Sequence, residues 1–470
     1  MDNAFGFQRS LLVVAGFWLL VSALPLAAQP PHPSDGWKFD IVYLKSGKAW
    51  QGQLLKKTDA GVEFLPVYRK PGEPTRRLPV TIFEWKEIDH IDPLDAQERR
   101  RLADRLNNLS PAGEKLRLEN LVLKAVPWDG AGNGGLSYPS RYFLLNSDAG
   151  DSTVRRAADR LDQIYAAYAN FLPPRRPAAP LTTIRLVRSQ AEYQKLLHRE
   201  GFAILNPAFY DLGKNEVLCG CDLQQLEAEL KRVRTEHEKI LTRLSNLEKA
   251  LERQYHGKIP ENRRQEIAKA RTEIMNKNGR NEKVFQDATR RLFQTLYHEA
   301  FHAYLANFVY PPAEAAVPRW LNEGLAQIFE TAIPEAGELR VGRPDSDRLA
   351  RAKAALRKGD LVSLTDLLRS GPEQFLVGHA NDQQVSDRYY LASWALAFYL
   401  TFDRKLLGTA ELDEYVRALK RGANPLEAFR ELVKEPLPRF EEAFHRYLRG
   451  LRSDGSTASL VKGKGPEQER

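Results

Sequence analysis

The 470-residue chain has few cysteines, and their scarcity excludes several classes of protein. Only Cys219 and Cys221 are present, and the single residue between them would strain a disulfide. A small exported domain built on disulfides is therefore excluded. A structural zinc site made of cysteine pairs is excluded too, because it needs a second pair. We interpret both cysteines as small buried or strand residues.

The chain also lacks a dense basic stripe interleaved with aromatic residues. Its formal net charge is +9, and the basic residues are spread among acidic ones. The basic run QERRRLADRL at 97–106 has the pattern of a solvated amphipathic helix. We therefore predict no nucleic-acid partner. The hydrophobic content of 43% is typical of a globular protein, and the length allows two or three domains.

One long hydrophobic run occurs, and it lies at the N-terminus. Arg9 precedes LLVVAGFWLLVSALPLAAQ (11–29), which ends in a proline and small alanines. This layout predicts a signal peptide over residues 1–28 and hence an exported protein, which is periplasmic, cell-surface or secreted. The alternative is an uncleaved membrane anchor, since the run has about the minimum length that crosses a bilayer. The membrane would be a partner only in that case.

Short alternating strands separated by turn residues follow this segment. They predict a small β-barrel or β-sheet module over 37–95, in which KSGK and TDAG supply turns. A strand–helix–strand–helix pattern then predicts an α+β domain over 113–450 that is mostly helical in its C-terminal half. The polar tail at 453–470 is predicted to be disordered.

Within that domain, apolar residues step by three and four along residues 223–251. This spacing fills four heptads and predicts a long antiparallel helical hairpin, inserted at 223–292, with a turn at YHGKIPEN. The predicted seam residues are Leu223, Leu226, Leu230, Val233, His237, Ile240, Leu244, Leu247 and Leu251. The inward candidates on the second helix are Ile267, Ala270, Ile274 and Val284.

The stretch LYHEAFHAYLANF carries His-Glu-x-x-His within a helical pattern. His298 and His302 are four residues apart, so on a helix both imidazoles project from one face and can hold a single zinc ion. Glu299 is then placed to face a water on that ion, whose pKa zinc lowers towards neutrality. We predict that Glu299 acts as the general base.

A zinc site built on two histidines needs a third protein ligand, and VPRWLNEGLAQIFE (317–330) offers Glu323. Gly324 directly after it would let another chain segment or a substrate approach closely. The pair His-Glu-x-x-His and Asn-Glu-Gly resembles the gluzincin metallopeptidases, the zincin group that includes thermolysin and the aminopeptidase N type. The resemblance implies a zincin-like fold, with His298, His302 and Glu323 as ligands of one Zn²⁺ per chain.

The chain departs from that group in three ways. It lacks the Gly-x-Met-x-Asn strand with which the exopeptidase branch recognises a substrate N-terminus, so we expect an endopeptidase. Thermolysin-like members place an Asp four residues after the third ligand, whereas this chain has Gln327. The outer partners of the ligands must therefore be built differently. The long helical hairpin is also foreign to ordinary gluzincins.

Peptide hydrolysis also needs a donor for the oxyanion, which in gluzincins is commonly a Tyr or His on a later helix. The later helix SDRYYLASWALAFYLTF (386–402) is apolar nearly all round, which predicts burial beside the active site. Tyr390 is the favoured donor, Tyr389 is the next candidate, and His379 is a weaker one. The alternative is that both tyrosines only pack the core.

Together these patterns predict an exported zinc metallopeptidase that hydrolyses protein or peptide substrates. Two alternatives stay open. One is a catalytically silent zincin-fold protein that serves as a cell-surface binding or scaffold protein. The other is a zinc amidase that acts on cell-wall peptides. The oligomeric state is also open, because the hairpin could pair between chains as readily as within one.

Overall fold

The computed structural model describes residues 37–69, 74–128, 134–176, 179–202, 206–335, 338–375 and 380–457. The predicted signal peptide and most of the predicted tail lie outside these residues. No helix among the described residues is long and apolar enough to cross a membrane.

The chain divides into two compact units. The first comprises Met1–Tyr68 and Arg77–Ala103, and the second comprises Arg69–Arg76 and Asp104–Arg470. As the sequence predicts, the fold is of mixed α and β type, with an N-terminal β module and a helical C-terminal half.

The β module is an antiparallel sheet in the order β4-β3-β2-β1-β6, with β5 paired to β3. Its core contains Val62 and Phe64, which alternate along β3 with half-exposed residues, as the two-residue period of a strand requires. The strands are β1 (Asp40–Leu44), β2 (Ala49–Lys57), β3 (Gly61–Tyr68), β4 (Arg76–Arg77), β5 (Thr81–Glu84) and β6 (Ile88–Asp92). Helix α1 (Ala96–Asn108) follows.

The second unit begins with a six-stranded mixed sheet in the order β11-β12-β10-β9-β8-β7. Strands β9, β10 and β12 are parallel, and β11 pairs with β12 as an antiparallel terminal strand. The elements are α2 (Pro111–Asn120), β7 (Lys124–Val126), β8 (Gly135–Pro139), β9 (Phe143–Ser147), α3 (Asp151–Phe171), β10 (Thr182–Val187), α4 (Gln190–Arg199), β11 (Ala208–Asp211) and β12 (Glu216–Gly220).

Successive residues of the central strand β10 belong to two different cores. Ile184 and Leu186 join the main core with α3, while Val187 packs with α4 on the opposite face. Cys219 and Cys221 are free and buried, in agreement with their interpretation as small buried residues.

Two long helices, α5 (Leu223–Gln254) and α6 (Glu261–Tyr304), follow the sheet and run antiparallel. Two ion pairs between the helices show that they are antiparallel. Arg234 pairs with Glu282, and further along α5 Glu248 pairs with Arg271, which is earlier in α6. His237 lies between them and contacts Asn278, with Nδ1 2.6 Å from Oδ1.

Along α5, two of the predicted seam residues that follow His237 do not face α6. Ile240 and Leu247 are 40% and 48% exposed, and Leu241 and Glu248 take the half-buried places instead. A straight helix turns once every 3.6 residues, so a strict heptad pattern drifts around its surface. Val284 on α6 is likewise 55% exposed rather than inward, whereas Ile267 and Ile274 are buried as expected.

The C-terminal half is helical apart from one small hairpin. Its elements are α7 (Arg319–Phe329), β13 (Ile333–Glu335), β14 (Glu338–Arg340), α8 (Ser346–Lys358), α9 (Leu364–Leu368), α10 (Ala380–Phe398), α11 (Ala410–Lys420), α12 (Pro425–Val433) and α13 (Leu437–Gly450). Short π-helical turns follow α6 and α10, at Leu305–Val309 and Tyr399–Asp403. The described start of the tail is ordered by a bridge between Leu451 and Thr457.

Candidate metal centre

The C-terminal end of α6 is held in the main core by one of its faces. Leu296, Ala300 and Phe301 are fully buried there, and the Tyr168 hydroxyl of α3 donates to the Tyr297 carbonyl. This packing leaves His298 and His302 on another face, where their rings meet edge to face with centroids 4.7 Å apart. The same packing that buries the apolar residues therefore orients the two imidazoles.

Helix α7 brings Glu323 against this face, and Gly324 determines how α7 itself is seated. A Cβ atom at Gly324 would lie 2.4 Å from the Ser393 carbonyl oxygen and 2.8 Å from the Ala397 side chain. The glycine thus permits backbone contact between α7 and α10. Of the two roles expected for this residue, the structure shows close approach of a chain segment.

The structure brings the three predicted ligands together. One nitrogen of His298, one of His302 and one Glu323 oxygen lie within 4.8 Å of one another. His298 Nε2 is 3.1 Å from Glu323 Oε2, and His302 Nε2 is 3.6 Å from Glu323 Oε1. The Glu323 side chain is 1% exposed, so its carboxylate closes the inner side of the cluster.

The other nitrogen of each imidazole has an oxygen partner. His298 Nδ1 is 2.6 Å from Glu330 Oε1, and His302 Nδ1 is 2.8 Å from Asn322 Oδ1. Carboxylate and amide oxygens accept hydrogen bonds, so both Nδ1 atoms carry hydrogen, and both Nε2 atoms lie on the side of Glu323. A metal ion bound there would replace the hydrogen that His298 Nε2 shares with Glu323 and would leave hydrogen on Nδ1, as metal-binding histidines need.

Sequence reasoning missed these outer partners. Glu330 follows Glu323 by seven residues, or about two helical turns, so the two carboxylates lie on the same helical face. This spacing is the signal by which the sequence could have indicated Glu330. Asn322 adjoins the ligand directly. Gln327, at the position where thermolysin-like enzymes carry Asp, instead donates to the backbone carbonyls of Glu323 and Tyr390. It therefore ties α7 to α10 rather than orienting a histidine.

One carboxylate oxygen of the cluster lacks a hydrogen bond, and this bears on whether these residues fit a zinc ion. Glu323 Oε1 is buried and accepts no hydrogen bond from the described residues, although Arg319 Nη2 forms an ion pair with it at 2.8 Å. A buried carboxylate oxygen without a hydrogen bond is costly, and a bound cation would offset the part of that cost that the Arg319 ion pair leaves. Two imidazole nitrogens and one carboxylate oxygen also form a donor set that zinc prefers. The residues therefore fit the ion.

Burial and neighbouring charges shift the pKa of each group in this cluster. Burial works to raise the pKa of Glu323, but His302, His298 and Arg319 outweigh it and lower that pKa to about 2. Burial likewise works to lower the pKa of His298, but its contacts with Glu323 and Glu330 raise it well above the usual value. Burial lowers the pKa of His302 to about 4. The protein groups alone therefore keep Glu323 ionised and His302 neutral near pH 7, and these are the forms that bind a metal ion.

Glu299 lies between this cluster and the terminal strand of the sheet. Burial raises its pKa to about 7, with Glu323 adding to the increase and His298 opposing it. The backbone of Tyr210 in β11 also lies close to the Glu299 carboxylate and opposes the increase in its pKa. The predicted base therefore lies beside the sheet edge on one side and beside the predicted ligands on the other.

The structure separates two of the three candidates for the oxyanion donor. Burial raises the pKa of Tyr390 to about 12, and Glu323 adds to this while Arg319 opposes it, so its hydroxyl lies beside the cluster. The charged neighbours of Tyr389 are Asp366, Arg388 and Glu373 rather than cluster residues. His379 lies outside the described residues.

A comparison with protein families finds one match. Residues 293–425 match a family model described as "Protein of unknown function (DUF1570)". Comparisons with curated proteins and with solved structures gave no match. The matched segment contains His298, His302 and Glu323 together with Glu330 and Tyr390. The chain is thus similar to this family in the part that carries the candidate metal centre.

Proposed function

We propose that this protein is an exported zinc metallopeptidase, and specifically an endopeptidase that acts on protein or peptide substrates. Its catalytic domain would be a zincin-like domain over 113–450, with the helical hairpin as an insertion at 223–292. The observation that carries the proposal is the convergence of His298, His302 and Glu323, with Glu299 beside them. All four residue types are those that zinc-dependent hydrolysis requires.

Three side chains of the chain would hold the metal ion. Nε2 of His298, Nε2 of His302 and the Glu323 carboxylate would hold one Zn²⁺. When bound there, zinc would polarise the scissile carbonyl and lower the pKa of an attacking water.

Proton transfer falls to Glu299. Its carboxylate would accept a proton from the attacking water and pass it to the leaving amine. The backbone of Tyr210 lies beside this carboxylate. The Tyr390 hydroxyl, beside Arg319 and Glu323, would donate a hydrogen bond to the developing oxyanion.

The neighbouring strand favours an extended peptide as the substrate. β11 is the terminal strand of its sheet, and the Pro207 carbonyl accepts from the Gly220 N–H of β12. Alternation along an antiparallel strand then turns the backbone groups of Ala208 and Tyr210 away from β12. Ala208 is fully buried, so the accessible part of this edge is at the half-buried Tyr210, which lies beside the proposed base Glu299 and would pair with an extended chain.

The proposal is tested by measuring zinc content and proteolysis on the same samples. The purified chain, Glu299→Gln and the control Glu266→Gln, in the exposed part of α6, would be assayed for bound zinc and for casein cleavage. We expect one zinc per chain in all three. We expect chelator-sensitive cleavage that falls by a factor on the order of 10² to 10⁴ in Glu299→Gln only.

Three results would contradict parts of the proposal. Absence of zinc from the wild-type chain would remove its basis. Full activity in Glu299→Gln would show that another group moves the proton. Zinc without cleavage of casein would favour a binding or scaffold protein, unless cell-wall peptides were cleaved instead, which would identify an amidase.

A further inference from the structure

Arg348 lies outside the ligand cluster but contacts α7, which carries Glu323, and α10, which carries Tyr390. It is in the first turn of α8, and its Nη1 donates to the Gln327 carbonyl of α7 at 3.3 Å. Its guanidinium carbon is 5.9 Å from the centre of the Trp394 ring in α10. A single side chain thus joins the helix that carries Glu323 to the helix that carries Tyr390.

The strongest contact of Arg348 is with Glu330. Arg348 Nη2 is 2.7 Å from Glu330 Oε2, while Glu330 Oε1 is 2.6 Å from His298 Nδ1. Each carboxylate oxygen therefore has one partner, and the carboxylate cannot turn without losing one of them. The Glu330 and Arg348 side chains are 18% and 22% exposed, so water competes only weakly for these bonds.

We propose that Glu330 and Arg348 form a positioning relay that holds His298 ready for the metal ion. The inference rests on the proposed zinc site and adds the residues that set its affinity. Arg348 fixes the Glu330 carboxylate, and Glu330 keeps the hydrogen of His298 on Nδ1. Nε2 is then the atom left to bind zinc, and the adjacent carboxylate makes the imidazole a stronger ligand. Zinc affinity consequently depends on α8, which contributes no ligand.

The same unit contains a matched pair that has no link to the cluster. Arg404 Nη1 is 2.6 Å from Glu435 Oε1, and these side chains are 26% and 22% exposed. Arg404 also donates to a backbone carbonyl, that of Val433 at 3.3 Å, and lies over the Phe440 ring at 5.4 Å. Glu435→Gln therefore removes an ion pair of the same kind, and none of its described contacts reaches the ligands.

The test measures the zinc dissociation constant of the full chain by competition with a chelator. We expect Glu330→Gln to weaken zinc binding by about 10- to 100-fold, as for other outer partners of metal ligands. Arg348→Met should weaken it less, and the double variant should resemble Glu330→Gln because the two residues act in series. Glu435→Gln should bind zinc as tightly as the wild type.

Two further measurements separate positioning from a general effect on folding. Arg348→Lys keeps the charge but loses the planar fork, so its zinc affinity should lie between those of the wild type and Arg348→Met. If Arg348→Met does not fold, Arg348→Lys still tests the relay. The visible spectrum of the cobalt(II)-substituted protein should change in Glu330→Gln and stay unchanged in Glu435→Gln.

The outcomes distinguish the relay from the proposed function. If the wild type binds zinc and both relay variants bind it equally tightly, the relay is wrong and the zinc site stands. If all variants weaken zinc binding to the same extent, including Glu435→Gln, the effect is a loss of fold and the relay is again wrong. If the wild type binds no zinc, the proposed function fails first.

Discussion

Helix α6 is one continuous element, yet its two ends have different surroundings. In the part paired with α5, Ile267 and Ile274 are buried and most other residues are exposed or half-buried. From Phe293 to Tyr304, one face of the same helix is buried against α3, α7 and the sheet. Helix formation is common to both ends, whereas the site occurs only where several elements converge.

The histidines of the two long helices show the same difference. His237, in α5, faces a single neighbouring helix and pairs with an amide, Asn278. His298, in α6, lies against α7 and contacts two carboxylates, those of Glu323 and Glu330. Arg348 of α8 binds the second of these. A histidine between two helices finds one partner, while a histidine at a junction of several elements can be given a defined tautomer and a ligand cluster.

The largest contrast is expected for truncation of an apolar side chain at each end of α6. Phe301 is fully buried against the rings of Tyr168 and Phe329, so Phe301→Ala should lower the free energy of unfolding by about 3–5 kcal/mol. Val284 is 55% exposed, so Val284→Ala should change it by less than about 0.5 kcal/mol. Urea denaturation of both variants measures this, and equal losses would show that the two ends are equally packed.

The second contrast concerns stabilisation by zinc. At a zinc concentration about 100 times the dissociation constant, binding should stabilise the chain by roughly 2.7 kcal/mol, because the ion binds the folded state. His302→Ala should abolish this increment, whereas His237→Ala should retain it, since His237 bonds to Asn278 only among its described contacts. Thermal unfolding with and without zinc measures the increment within each variant. Loss of the increment in His237→Ala would place a ligand in the hairpin.

The smallest contrast concerns two helical glycines. An added Cβ at Gly324 would meet the Ser393 carbonyl oxygen at 2.4 Å, so Gly324→Ala should force α7 and α10 apart and cost about 1–3 kcal/mol. Gly279 in α6 has no described atom within 4 Å of an added Cβ, so Gly279→Ala should stabilise by about 0.5–1 kcal/mol. In thermal denaturation, we expect Gly324→Ala to lower the melting temperature and Gly279→Ala to raise it. A stabilising Gly324→Ala would refute the close contact.

Part of this architecture could be predicted because it depends on local spacing. The α+β class, the N-terminal β module and the helical C-terminal half all follow from periodicity and turn residues. The spacing of His298 and His302 sufficed to place both on one helical face. The error at Ile240 and Leu247 shows the limit, because small differences in helical pitch accumulate over several turns.

Contacts between distant segments could not be predicted from spacing. Glu330 was overlooked because its partner His298 is 32 residues away, and Arg348 is a further helix away. Nothing in the pattern of α8 distinguishes Arg348 from the other arginines of that helix. Gly324 was recognised as a point of close approach, but which segment approaches depends on how α10 packs.

The sequence by itself determined which residue types could serve as ligands and base, since one helical turn separates His298 from His302 and Glu299 adjoins them. Only the tertiary structure decided how they are arranged. Packing of α6, α7, α8 and α10 turns both Nε2 atoms towards Glu323 and supplies Glu330 and Asn322 behind them. The reason is physical: side-chain spacing along a helix is set locally, whereas a hydrogen-bonded tautomer and a buried charge need partners from other elements.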